Sequence, residues 1–245
     1  MKKETGILYG LGVGPGDPEL ITLKAARVLN SADVVYAAAS SKNTYSLAVS
    51  IARPHIPDLT PVKMMHFPMT KDRSKTERAW QKNARILVEE LQQSKIVAFI
   101  TLGDSMTYST FGYILQYVQQ LDPNVPVISV PGITSYQASA ACLNDPLVEG
   151  EEALLIVSGV NGGECLRRFA VAPDNLVFMK AYRNMPDITA ALGEFNLLEG
   201  SVAVKNCGLP DQEIVTDIRE LENCPPNYWT LILSRRRKRN VPEES

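Results

Sequence analysis

The chain reads as two α/β domains in succession. Apolar runs of strand length alternate with helical patterns along most of its 245 residues. The turn-forming stretch Asp122-Pro123-Asn124-Val125-Pro126 interrupts the alternation, and the pattern restarts beyond it. The last stretch, about 40 residues, carries strands with no helix between them, which predicts an antiparallel finish to the second sheet. Domains are therefore expected at 1–122 and 127–245, each of ordinary domain size.

Each element follows from a local signal. Ile7-Leu8-Tyr9 opens a strand over 6–13, and Asp17-Pro18 starts a helix with Leu20, Leu23, Ala26 and Val28 on its apolar face. Val34-Val35-Tyr36-Ala37 predicts a second strand and 44–52 a short helix; Pro54, Pro57 and Pro61 then break the chain before Val62-Lys63-Met64. The clearest helix runs from Ser74 to Gln93. Ser74 and Glu77 have capping-box spacing, and Trp80, Ala84, Leu87, Val88 and Leu91 fall on one stripe. Residues 95–102 form the apolar run of a buried strand, followed by a helix over 109–121. Beyond the turn come a strand at 127–130, a helix at 135–143, strands at 153–158 and 175–181, and a helix at 186–198. Strands at 201–204, 213–215 and 228–233 complete the chain.

Composition removes several function classes. With 45% apolar and 21% charged residues the chain is of globular type. A formal charge of −2 gives no general attraction for nucleic acid. No run of about 18 apolar residues predicts a membrane span, and the start Met1-Lys2-Lys3-Glu4-Thr5 does not read as a signal peptide, so a cytoplasmic enzyme is expected. Cys142, Cys165, Cys207 and Cys224 are scattered, and His55 and His66 lie near none of them. That spacing predicts no structural metal.

Three strand-to-helix junctions could carry chemistry, since ligands of open α/β sheets bind beyond the carboxyl ends of strands. The first is Gly10-Leu11-Gly12-Val13-Gly14-Pro15-Gly16-Asp17-Pro18. A dinucleotide fingerprint needs G-x-G-x-x-G, yet the third position is Pro15 or Asp17 in the two registers. The acid at Asp17 also opposes a pyrophosphate at that helix start. The alternative is a tight turn with no ligand. The second junction is Leu102-Gly103-Asp104-Ser105-Met106-Thr107-Tyr108-Ser109-Thr110, where Asp104 meets a ligand hydroxyl or amine, or else Asp104 or Ser109 merely caps the next helix. The third is Val130-Pro131-Gly132-Ile133-Thr134-Ser135, open to the same two readings.

Together these motifs, with G-x-G-x-G-P-G-D-P first, resemble the tetrapyrrole methylase family, over nearly the whole chain. The segment from Gly14 to Ala26, the Trp80 helix, and Thr101-Leu102-Gly103-Asp104 with Tyr108-Ser109-Thr110 look like the branch that methylates C20 of precorrin-2 or of cobalt-factor II. One departure is Ser105, where the family commonly has proline, which predicts a less rigid turn. The resemblance implies the tetrapyrrole methylase fold, two α/β domains with a cofactor cleft between them, and a homodimer. It implies S-adenosylmethionine as methyl donor, with S-adenosylhomocysteine as product. Carried over by motif, the donor contacts are Pro15, Leu102, Gly103, Asp104, Thr107, Thr134, Ser135, Met179, Cys207 and Gly208, with Lys205 and Gln212 bordering the last turn.

The implied reaction moves CH₃ from a sulfonium to an electron-rich bridging carbon. Alignment and exclusion of water do most of that work, so no catalytic residue is named. The implied substrate is rich in carboxylates, and Arg53, Lys71, Arg73, Lys180 and Arg183 near loops and strand ends are candidate contacts, with Tyr108. The basic run from Arg235 to Arg239 reads as a solvated tail or a steering element. Rival readings are another methylase of this fold acting on a different corrin position, on uroporphyrinogen or on a diphthine-type protein, a nicotinamide oxidoreductase, and a non-catalytic tetrapyrrole carrier.

Overall fold

The computed structural model describes residues 5–40, 46–68, 70 and 72–236. It divides into two compact units, Met1–Thr134 and Ser135–Ser245.

The first unit is built on a five-stranded, all-parallel sheet in the order β3-β2-β4-β1-β5. Its strands are β1 (Ile7–Gly12), β2 (Val34–Ser40), β3 (Val62–Phe67), β4 (Ile96–Thr101) and β5 (Val127–Val130). Helices α1 (Leu23–Ser31), α2 (Leu47–Ala52), α3 (Arg73–Leu91) and α4 (Thr110–Leu121) connect them. Leu8, Tyr36, Val97 and Phe99 share one buried cluster with α3 and α4, while Leu11, Val35, Ala98 and Ile100 share another with α1 and α2. The central strands are thus covered on both faces, as parallel sheets require. Each large aliphatic buried there contributes about 1.5–3 kcal/mol, which holds the strand ends in register.

β5 corrects the expected boundary at 122–127. Leu8 to Leu11 pair with Val127 to Val130, so the fifth strand closes the first sheet and the division falls after Thr134. The 122–126 turn is an internal connection. Two helix starts also differ. Asp17 caps only a 3-10 turn, Pro18–Leu20, and Thr22 caps α1 by accepting from the Ala25 N–H. The buried face of α1 is Ala25 and Leu29, whereas Leu23 is 83% exposed. Asp72, not Ser74, caps α3, and Glu77 pairs with Arg73 instead of closing a capping box. The first residues of the expected 44–52 helix lie outside the described residues, as do Lys71 and the Arg237 to Arg239 part of the basic run.

The second unit holds a mixed sheet in the order β6-β7-β10-β8-β9. Its elements are α5 (Ser135–Leu143), β6 (Leu154–Ser158), α6 (Glu164–Arg167), β7 (Asn175–Met179), α7 (Met185–Glu194), β8 (Ser201–Lys205), β9 (Glu213–Val215) and β10 (Thr230–Arg235). β6 and β7 are parallel; β10 runs antiparallel to β7 and β8, and β9 antiparallel to β8, the finish that the last residues predict. A 3-10 helix, Ile218–Asn223, separates β9 from β10, where no helix was expected. Phe178, Ile188, Leu192, Ala203 and Ile232 lie in its core.

Candidate functional site

The carboxyl ends of β1, β4 and β5 lie side by side because those strands are neighbours in the sheet, and their loops are joined through main chain. Past the parallel pairing, Gly14 and Gly103 form one antiparallel bridge, N–H to carbonyl at 3.1 Å and 2.8 Å. Gly103 holds φ +68, a left-handed conformation that side chains disfavour. A Cβ on Gly132 would lie 2.2 Å from the Gly103 carbonyl oxygen and 2.7 Å from the Gly12 carbonyl carbon. No side chain fits there, so three loops meet as bare backbone.

Asp104 sits at the centre of this junction. One carboxylate oxygen accepts the N–H groups of Met106 and Thr107, both at 2.9 Å, and the other accepts the Gly132 N–H at 3.0 Å. Burial alone would raise its pKa; these donors overcome that and hold the carboxyl below its ordinary value. Ser105 is fully buried and donates to the Val130 carbonyl at 3.1 Å. The residue that read as a loss of rigidity therefore supplies a hydrogen bond that proline has no group to make. Thr101 adds weaker bonds to the Leu11 and Asp104 carbonyls, and Ser109 caps α4.

On the first loop, Asp17 accepts the Glu19 N–H at 2.8 Å and so occupies a donor that an anion would need. Pro15 lies just beyond the Gly14 bridge. His55, which sequence spacing connected to nothing, reaches the Pro18 carbonyl at 3.2 Å from the 3-10 helix Arg53–His55. Tyr108 is half exposed with φ +50, a position where bulky side chains are rare. Leu102, Gly103, Asp104, Thr107 and Thr134 thus share one end of the first sheet with Pro15.

Among the other cations of the first unit, Arg53 pairs with Asp58 and the outward-facing Arg73 with Glu77. A separate buried network lies around Glu90, which accepts from Lys63 at 2.7 Å, Lys95 at 2.5 Å and Tyr36 at 2.8 Å. The two lysines pull the Glu90 pKa down to about 2, against the effect of burial. Nothing in the sequence joins Tyr36 to Glu90.

In the second unit, Ser135 at the start of α5 donates to the Met179 sulfur at 3.8 Å, so two predicted contacts meet. Lys180 follows with φ +58, and burial lowers its pKa. Arg183 lies 5.0 Å over the Tyr182 ring. The turn after β8 carries Asn206 at φ +50, buried Cys207 and Gly208 at φ +77. Gln212 accepts the Gly208 N–H at 2.8 Å and donates to the Cys142 sulfur at 3.0 Å, fixing that turn to α5. Asn206 donates to Asp211 and accepts from Asn227. Among the described residues no three metal-ligating side chains cluster, and no helix is long and apolar enough to cross a membrane.

Comparison with known proteins gives these loops a setting. Residues 7–222 match the family described as Tetrapyrrole (Corrin/Porphyrin) Methylases. The cobalt-precorrin-2 C(20)-methyltransferase of Salmonella typhimurium is 37% identical over 93% of this chain and 95% of its own. A probable cobalt-precorrin-2 C(20)-methyltransferase of Methanocaldococcus jannaschii is 34% identical over 88% and 89%. The structure of the uroporphyrin-III C-methyl transferase from Thermus thermophilus, complexed with S-adenyl homocysteine, superposes with a TM-score of 0.70 at 26% identity, covering 94% of this chain and 92% of that one. A family match over residues 7–222, relatives this similar over most of their length and a shared fold agree: the chain belongs to the tetrapyrrole (corrin/porphyrin) methylase family.

Proposed function

We propose that this protein transfers a methyl group from S-adenosylmethionine to C20 of cobalt-precorrin-2, a step of cobalamin synthesis. The observation that carries the reading is the 37% identity to a cobalt-precorrin-2 C(20)-methyltransferase over nearly the full length of both chains. The cobalt belongs to the substrate and needs no protein ligands. Cytoplasmic location and a homodimer form part of the same proposal.

The residues present suit such a donor. Gly103 is not crowded: a Cβ there would make ordinary contact with the Ile133 carbonyl oxygen at 3.8 Å and the Thr134 Cα at 4.0 Å, and it is the positive φ that disfavours one. The loop around it carries main-chain groups and the apolar Leu102, the mix that binds a nucleoside with few charges. We assign donor contacts to Pro15, Leu102, Gly103, Thr107 and Thr134, with Asp104 fixing the loops that carry them, and from the second unit to Ser135, Met179, Cys207 and Gly208. Bound S-adenosylmethionine supplies an electrophilic methyl on a good leaving group. The chain's own task is to hold donor and acceptor in line and to keep water out. Tyr108, Arg53, Lys71, Arg73, Lys180 and Arg183 are the proposed contacts to the acidic macrocycle, arginine pairing bidentately with carboxylates.

Calorimetry with S-adenosylhomocysteine tests the donor site: saturable binding supports it, and no heat at millimolar ligand removes the methylase reading. Among the rivals, a methylase of another corrin position or of uroporphyrinogen would bind the same ligand, and the position of the transferred methyl separates them.

A further inference from the structure

The Asp104 carboxylate was expected to hold ribose hydroxyls or an amine. Its two oxygens accept three main-chain N–H groups, at 2.9 Å, 2.9 Å and 3.0 Å, and the Thr107 hydroxyl as well. Two of the N–H groups belong to its own loop and one to the loop after β5. The neighbouring Ser105 hydroxyl, fully buried, bonds the last carbonyl of β5 at 3.1 Å. Two consecutive side chains on one loop therefore grip the next loop at Val130 and Gly132. They bridge the Gly103 and Gly132 backbones, which are packed too closely for a Cβ between them.

We propose that Asp104 and Ser105 form a staple between the β4 and β5 loops, and that Asp104 is a positioning residue that sets the Gly103–Gly132 backbone edge without touching the methyl donor. The link from that edge to the donor rests on the donor-site reading above; the staple itself does not. An ionised carboxylate suits the task because it is acceptor-only, with capacity for several N–H groups at once. Asparagine would keep one such oxygen but turn an NH₂ toward Met106 and Thr107 or toward Gly132. It can therefore preserve only one side of the staple.

Amide hydrogen exchange on the ligand-free full chain reads the staple. In D104A the Met106, Thr107 and Gly132 amides should all exchange faster. In D104N only one side should, by about tenfold for one lost hydrogen bond, while amides of β1 keep their protection. Unchanged exchange at Gly132 in D104A overturns the staple. Calorimetry then compares S-adenosylhomocysteine with its 2′,3′-dideoxy analogue on wild type and D104N, as a double-mutant cycle. The positioning role predicts weaker binding of both ligands to D104N and the same ratio between them as in wild type. A ratio that collapses toward one in D104N places the carboxylate on the ribose and overturns the proposal, as does D104N binding with wild-type affinity. S105A cuts only the bond to Val130 and serves if the Asp104 variants fail to fold. It should weaken binding several-fold, on the order expected for one buried hydrogen bond, at an unchanged ligand ratio; wild-type affinity in S105A overturns the staple's role in binding. If wild type binds no S-adenosylhomocysteine, the donor-site reading fails while the exchange arm still decides the staple.

Discussion

The two units fix their strand-end loops by different means. In the first, Gly12, Gly14, Gly103 and Gly132 let main chain lie on main chain, and the Asp104 and Ser105 side chains bond backbone groups of the junction. In the second, Lys180, Asn184 and Asn206 accept positive φ, and the turn after β8 is tied by Gln212, Asp211 and Asn227. Charge follows the same division. The first unit buries Glu90 between two lysines and a tyrosine, whereas the second places Arg167 with Asp187 and Glu194, and Arg235 with Asp145 and Glu149, in partly exposed pairs. A parallel sheet brings neighbouring strand ends to one edge, where glycines let the loops meet and two adjacent side chains tie them. An antiparallel finish sends the chain in both directions, and each turn needs ties of its own.

If this contrast holds, the first unit should be the more sensitive to added atoms. Gly132→Ala pushes a methyl against the Gly103 carbonyl at 2.2 Å and is expected to cost about 3 kcal/mol, the upper end for overpacking, read by urea unfolding. A loss no larger than that of a surface alanine would show that the loops part easily. Glu90→Gln removes the charge that two lysines share and should cost about 2 kcal/mol near neutral pH. In wild type the folded Glu90 pKa, about 2, lies below the ordinary value of 4.5. Its contribution is therefore full above about pH 5 and is lost as pH falls through that interval toward 2. The stability gap between wild type and Glu90→Gln should narrow over the same range in a series of acid melts; a gap that stays constant contradicts the charge network. Gln212→Ala, which cuts the ties to Gly208 and Cys142, should cost about 1 kcal/mol. It is also expected to raise the S-adenosylhomocysteine dissociation constant a few-fold (about 1 kcal/mol or less). Arg167→Ala should have the smallest effect and one that salt diminishes, since its partners are partly exposed.

What could be read from the sequence divides on locality. Alternating apolar runs and helical stripes are local, so the strands and most helices were legible, as was the antiparallel finish. β5 was assigned to the wrong sheet because its partner, β1, lies more than a hundred residues earlier, and a polar turn marks a connection without saying whether a domain ends there. At α3, Asp72 and Ser74 are equally good caps by residue type, and only the backbone at Asp72 decides. Asp104 stood out by its place after a buried strand, but its partners include Gly132, 28 residues on, whose role is an N–H common to every non-proline residue. Ser105 read as a weaker proline for the same reason: its acceptor, the Val130 carbonyl, leaves no mark in the sequence. His55 and the Glu90 network were invisible on the same ground.

Methyl transfer to C20 is the function proposed for these loops. Incubation of the full chain with ¹³C-methyl S-adenosylmethionine and cobalt-precorrin-2, followed by NMR of the product, tests it most directly. One new labelled methyl, attached to C20, is the expected product. A methyl at any other position, or none, contradicts it.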